Sequence, residues 1–238
     1  MTRLSVNINK IATLRNARGG QIPSVTFFAK KCQEWGADGI TVHPRPDGRH
    51  IRYSDVIEIN PLIHTSFNIE GYPDEAFMKL VSEVKPDQVT LVPDPPGVLT
   101  SNAGWAIKEN MSLLQDRIGA IRELGMSCSL FVEPDATQIS RVPETGADKI
   151  ELYTESYANC FKNDPEAAIK PYLDAAETAK NLGLKINAGH DLNLENLGFL
   201  NTRIPFLFEV SIGHALISDA LVYGMANTIG LYKRLLQP

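Results

Sequence analysis

Short stretches dominated by apolar positions recur along the chain, each five to seven residues long and rich in Val, Ile, Leu and Thr. They are LSVNIN (4–9), GITVH (39–43), HTSFNIE (64–70), QVTLVP (88–93), SCSLFVE (127–133), KIELYT (149–154), KINAGH (185–190) and FEVSIGH (208–214). Their length and β-branched content predict strands. The segments between them have helical period and predict helices over 24–35, 54–61, 74–84, 106–124, 135–145, 165–182, 193–200 and 215–235. Gly36, Gly125, Gly146 and Gly183 each follow a helical segment and precede a strand, where a left-handed cap ends the helix. The GAD copies at Gly36 and Gly146 stand roughly half a chain apart, as four βα units per half would place them. Asp164 is expected to cap a short helix opening at Pro165, and Pro171 to break that segment in two.

Alternating βα units over 238 residues predict a single α/β domain spanning 1–238, a (β/α)8 TIM barrel with extra short helices. A doubly wound open sheet is the alternative, but no G-x-G-x-x-G follows the first strand.

Composition narrows the partners. The net charge is −5 with no block of five or six like charges, so neither a nucleic-acid footprint nor a membrane-binding face is expected, and anions must be caught locally by placed donors. Three scattered cysteines, Cys32, Cys128 and Cys160, give no disulfide or zinc pattern and point to a reduced, cytoplasmic setting. No secretion signal and no membrane-spanning apolar run are read in the chain.

In a barrel, the side chains at the C-terminal strand ends converge on one mouth. Those ends carry Asn7 and Asn9, His43, Glu70, Glu151, His190 and His214. Of five histidines three close a strand, His50 lies in the loop after one, and only His64 sits at the opposite end. The segment ITVHPRPDGRH runs a strand into His43, Arg45, Arg49 and His50. Arg45 and His50 suit a phosphate, whereas Arg49 and Arg52 are read as a solvated loop. In SIGHALISDA, Gly213 and His214 precede a helix whose amides offer a second phosphate site. Each residue also has a plain structural reading: a hydrogen-bonded surface histidine, an ordinary turn glycine, or, for Glu70, an ion pair with an arginine. Lys149 and Lys185 open their strands and so face away from the mouth. Lys10 is the one lysine placed near it, and neither a metal motif nor a G-x-S-x-G elbow is present.

The stretches VNINKIATLRNARGG (6–20), GADGITVHPRPDGRHI (36–51), FNIE (67–70), LVP (91–93) with Thr100, IELYT (150–154), LGLKINAGHDL (182–192) and IGHALI (212–217) together resemble the pyridoxine 5′-phosphate synthase family over essentially the whole chain. The resemblance implies condensation of 1-deoxy-D-xylulose 5-phosphate with 3-amino-2-oxopropyl phosphate to pyridoxine 5′-phosphate, phosphate and water. It implies no cofactor and no metal, a cytoplasmic location, two small phosphorylated substrates and a homo-octamer. Carried over by motif, His43 and Glu70 look like general bases, His190 like a proton donor and Glu151 like a stabiliser of charged intermediates. Asn7, Arg18, Asp191, Gly213 and His214 would hold the aminoketone phosphate, and Asn9, Lys10, Arg45, His50 and Thr100 the sugar phosphate. Two positions depart from the family pattern: Asn9-Lys10 replaces a frequent Asp-His, and Asp191 replaces a common Gly. Segment 94–106, with Thr100, reads as a lid or as an ordinary surface loop. Two further readings stay open, a phosphosugar isomerase or aldolase on the same barrel and a non-catalytic phosphometabolite-binding protein.

Overall fold

The structure, a computed structural model, describes residues 1–94 and 103–237. Eight parallel strands close in sequence order, with β8 returning to β1. They are β1 Arg3–Asn7, β2 Gly39–Val42, β3 Ser66–Gly71, β4 Gln88–Leu91, β5 Ser127–Val132, β6 Lys149–Tyr153, β7 Lys185–Gly189 and β8 Glu209–Ile212. The helices around them are α1 Asn9–Asn16, α2 Val25–Glu34, α3 Tyr53–Ile59, α4 Glu75–Val84, α5 Met111–Glu123, α6 Ala136–Ile139, α7 Val142–Thr145, α8 Glu155–Phe161, α9 Pro165–Asn181, α10 Leu197–Arg203, α11 His214–Tyr223 and α12 Met225–Leu235.

Residue alternation along the strands sorts two cores. Leu4, Val6, Ile40, Ile69, Val89, Leu130, Ile150 and Val210 are fully buried under the helices. The alternate positions face inward and are largely polar. Ser5 and Thr41 share a 2.6 Å hydrogen bond, Thr90 donates to Asn68 (3.0 Å), and Lys149 Nζ donates across the barrel to Gln88 Oε1 (2.6 Å). Burying polar groups is costly unless they are paired, and this interior is largely a hydrogen-bonded lattice in place of the usual packed aliphatic layers, although Ser129 Oγ and Asn187 Oδ1 have no partner among the described residues.

Several expected boundaries shift. β1 stops at Asn7, because the Asn7 side chain accepts the amide of Asn9 at 3.0 Å and turns the chain directly into α1. Asn9 and Lys10 therefore stand on a helical first turn and not on a strand, a correction to their expected placement. Neither α1 nor α8 is among the expected helices, and those expected at 135–145 and 215–235 each divide in two, the latter at Gly224 (φ 75°). The helix expected over 106–124 begins at Met111, and the one at 193–200 becomes α10. Asp164 caps α9 through the amide of Ala167 (3.0 Å), but Pro171 does not break it. Ala167, whose carbonyl loses its donor, and Pro171 are both exposed to water, while Ile169, Tyr172, Ala175, Ala176 and Ala179 anchor the helix face in the core.

The four anticipated cap glycines all have positive φ, between 75° and 100°. Gly183, between α9 and β7, has open space where a Cβ would go, so only its backbone conformation resists substitution. Gly183→Ala should cost about 1–2 kcal/mol. Gly119→Ala, inside α5 and equally uncrowded, should instead add roughly 0.5–1 kcal/mol. Urea unfolding of the two variants checks both signs.

Candidate functional site

The mouth of the barrel holds a cavity of about 500 Å3, into which His43, Glu70, Glu151 and His190 all project. A shallower cleft of about 660 Å3 lies at the other end, around Arg122, Asp148, Lys149 and Lys185, where no strand-end imidazole reaches. His64 also lies at that far end, exposed just before β3.

Two carboxyls occupy the cavity floor. Glu70 on β3 is 5 % exposed and Glu151 on β6 is 1 % exposed. Glu70 Oε2 receives the Asn7 amide at 3.4 Å and lies 3.9 Å from His43 Nδ1, with Ser211 as a further hydrogen-bond partner. Among the described residues no arginine is seen paired with it; Arg15 pairs instead with Asp55, at 2.5 and 2.9 Å. Burial raises the Glu70 carboxyl to about 8, with the Ser211 hydrogen bond opposing. Burial and then the nearby Glu70 and Glu209 push Glu151 well above the ordinary carboxyl range. Glu151 Oε2 has no partner among the described residues. A Cβ on Gly189 would lie 2.5 Å from Glu151 Oε1, so this glycine makes room for the carboxyl.

His43 follows β2, and its amide donates to Asn9 Oδ1 at 2.9 Å. Burial, and then the positive surroundings of His50, Arg45 and His190, push its imidazole down to about 3. Near neutral pH the His43–Glu70 contact thus joins a neutral imidazole to a protonated carboxyl. His190 follows β7 and packs against Phe131 and Tyr153, with ring centroids 5.0 and 5.2 Å away. Burial lowers its pKa, opposed by Asp191, Asp94 and Glu155.

Cations gather on one wall, Lys10 from α1 with Arg45 and Arg49 from the loop after β2, and the His50 ring stands among them. Burial, followed by Arg45 and Lys10, pushes His50 down to about 4. Arg49, expected in a solvated loop, lines the cavity while its guanidinium pairs with Asp47 at 2.5 Å. Arg52 lies outside, donating to Asn16 Oδ1 at 3.0 Å. The loop is fixed from behind, because Asn16 Nδ2 donates to the carbonyls of Gly48 (3.0 Å) and His50 (2.8 Å) and Arg15 to that of His50 (3.3 Å).

Next to β1 around the ring, Gly213 and His214 open α11 after β8, and the α11 N-cap makes no side-chain hydrogen bond to its first amides. Asn7, Asn9, Asp191, Gly213 and His214 all line the cavity. Arg18 does not; it stands in the exposed turn after α1. Thr100 and most of the suggested lid lie outside the described residues. Tyr153, Glu155 and Ser211 line the cavity without having been singled out. Tyr153 was legible, since it lies two residues beyond Glu151 on one strand face. Among the described residues no group of three or more His, Cys, Asp or Glu is arranged to hold a metal ion.

Fold and cavity define a (β/α)8 barrel whose mouth brings imidazoles, buried carboxyls and clustered cations together. Among solved structures, tryptophan synthase from M. tuberculosis has the same fold, with TM-score 0.67 at 11 % identity over 99 % of this chain and 94 % of that one. Among curated proteins, the pyridoxine 5′-phosphate synthase of Parabacteroides distasonis is 58 % identical over 233 residues, 98 % of each chain. That of Bacteroides fragilis is 56 % identical over 237 residues, 100 % of each. Residues 4–238 match the family described as pyridoxal phosphate biosynthesis protein PdxJ, and the chain belongs to that family.

The unfolded chain releases the Glu70 proton near 4.5, whereas the folded chain holds it to about 8. Stability from this group is therefore fully present below 4.5 and is lost as the pH rises through 8. Glu70→Gln keeps a donor and the shape. It should gain stability over the parent between about pH 5 and about pH 9, by a few kcal/mol at about 1.4 kcal/mol per pKa unit. Urea titrations of both proteins at the two pH values read this difference, and an equal gap at both would show that Glu70 is not held protonated.

Proposed function

We propose that the chain is a pyridoxine 5′-phosphate synthase, joining 1-deoxy-D-xylulose 5-phosphate to 3-amino-2-oxopropyl phosphate with release of phosphate and water. The observation that carries this reading is the meeting of His43, Glu70, Glu151 and His190 in one cavity between a cationic wall and an uncapped helix start, in a chain matched to the family over residues 4–238. The condensation needs an amine to add to a ketone, water and phosphate to leave, and a ring to close, which requires proton transfers in both directions.

The residue chemistry supports distinct roles. A neutral His43 can take a proton at once. Glu70, with its raised proton affinity, is a strong base whenever it is ionised and an acid when it is not. The buried Glu151 carboxyl, freed of its proton, would balance a cationic imine. His190, on the far wall beside Asp191, is positioned to return a proton to a leaving oxygen. Lys10, Arg45 and His50, with Arg49, suit the sugar phosphate, and Asn9 shares that side. Thr100 belongs to the same proposed set by family likeness. The α11 start, with Asn7, Asp191, Gly213 and His214, suits the aminoketone phosphate, and Arg18 is assigned there by family likeness alone. The substrate brings its own amine, so no lysine is needed to form an imine.

The reading includes one barrel domain over 1–238, acid–base catalysis of transferase type without a cofactor, a cytoplasmic setting and a homo-octamer. No helix among the described residues is long and apolar enough to cross a membrane.

Purified protein mixed with both phosphorylated substrates should generate the ultraviolet absorbance of a pyridine ring, and neither substrate alone should be consumed. An isomerase would turn over one of them unaided. His43→Asn should lower kcat by roughly 100- to 10,000-fold while substrate affinity, read by calorimetry, stays nearly unchanged. Full turnover by this variant would remove His43 from the chemistry.

A further inference from the structure

The stretch IELYT ends on Thr154, a fully buried residue at the junction of β6 and α8. Its amide donates to the Gly189 carbonyl at 3.1 Å, and its hydroxyl is shared between the carbonyls of Gly189, at 2.7 Å, and His190. Those carbonyls flank an unusual backbone: His190 and Asp191 are consecutive non-glycine residues with φ of 74° and 54°. Left-handed conformations cost about 1 kcal/mol or more for each such residue and persist only where the surroundings over-determine them. The third carbonyl in the row, that of Asp191, accepts from Asn196 Nδ2 at 3.1 Å, and Asn196 is itself 1 % exposed. The turn is thus held by its carbonyls from two sides.

The same junction also sets the His190 ring. Tyr153, next to Thr154, forms one wall against the imidazole at 87° between ring planes, and its own carbonyl is held by the Tyr172 hydroxyl at 2.7 Å. Adjacent residues of one strand end therefore fix both the backbone and the ring of His190. A valine in place of Thr154 would fill the same space yet leave two buried carbonyls with fewer donors, and relaxing them means rotating the turn that aims the imidazole.

We propose that Thr154 is a positioning residue whose hydroxyl locks the left-handed turn at His190–Asp191 and so directs the His190 imidazole into the cavity. This rests on the reading of His190 as a proton donor in the synthase reaction. The test compares Thr154→Val, Thr154→Ala and Thr154→Ser with His190→Gln in steady-state kinetics across pH. The two variants without a hydroxyl should lose roughly 10- to 100-fold in kcat, the scale of an ångström-sized misplacement, while the KM for the sugar phosphate, bound on the opposite wall, stays within about twofold. The limb of the pH profile that His190→Gln abolishes should shift in both, and Thr154→Ser should restore the parent profile. Parental kcat in Thr154→Val and Thr154→Ala beside an inactive His190→Gln would overturn the clamp alone. An active His190→Gln would overturn the reading beneath it. A sugar-phosphate KM rising in step with the loss of kcat, or failure of both hydroxyl-free variants to fold while Thr154→Ser folds, would show a general structural role and overturn the positioning claim.

Discussion

Two carboxyl groups, Glu70 and Glu151, are held in the throat of the barrel almost without solvent and, among the described residues, without an arginine or lysine paired to them. Removing an isolated carboxylate from water is so costly that such a group keeps its proton instead. Much of the surrounding construction follows. The contacts of Glu70 are an asparagine amide, a hydroxyl and a neutral imidazole, groups able to pair with either protonation state. Gly189 stands where any side chain would strike Glu151. The layer below is hydroxyl and amide as well, so the barrel's polar interior continues from the floor of the site toward its base. A cavity built in this way raises the proton affinity of its carboxyls and lowers that of His43, an arrangement suited to a reaction that moves several protons.

Much of this could be read in the sequence because a barrel turns order along the chain into position around a ring. The strand runs were found to within a residue or two, and with them His43, Glu70, Glu151 and His190 fell at or near one rim. What could not be read came from local competition between turn and strand. Asn9 and Lys10 continue the alternation of the first strand, yet the Asn7 side chain captures the next amide and starts a helix. Pro171 sits mid-helix where a rule about isolated helices predicts a break, but burial of the opposite face outweighs one missing hydrogen bond. Arg49 reads as a loop charge until folding brings its loop over the cavity, and nothing in its neighbours announces this.

The two departures from the family pattern have different consequences. At Asn9 the atom in use is an amide oxygen that accepts from the His43 backbone, a task an aspartate could perform equally, so the exchange keeps the contact that positions His43. Lys10 puts a fixed cation on the wall already occupied by Arg45 and Arg49, which strengthens that wall's preference for an anion. Asp191, which stands where the family resemblance leads one to expect glycine, takes a left-handed backbone with φ 54°. Aspartate enters this region more readily than most side chains, and with the turn carbonyls held by Thr154 and Asn196 the residue keeps a left-handed backbone and sets a carboxyl beside His190.

The cationic wall raises a problem of its own in a chain whose net charge is −5. Lys10, Arg45 and Arg49 repel one another and, after burial, add to the lowering of the His50 proton affinity. They are held together from outside the cavity: the buried Arg15–Asp55 pair ties α1 to the start of α3, and Asn16 grips the loop carbonyls between them. Asp47 and Asp94 supply part of the opposite charge felt by Arg45. The backbone contacts with α1 fix the loop before any ligand arrives, so a phosphate entering this wall need not order it. Its charge instead relieves repulsion already built into the fold, and the same charge would raise the proton affinity of His50 and His43 as binding proceeds. An anion held at this wall and the protonation state of the imidazoles would thereby be coupled through a single electrostatic field.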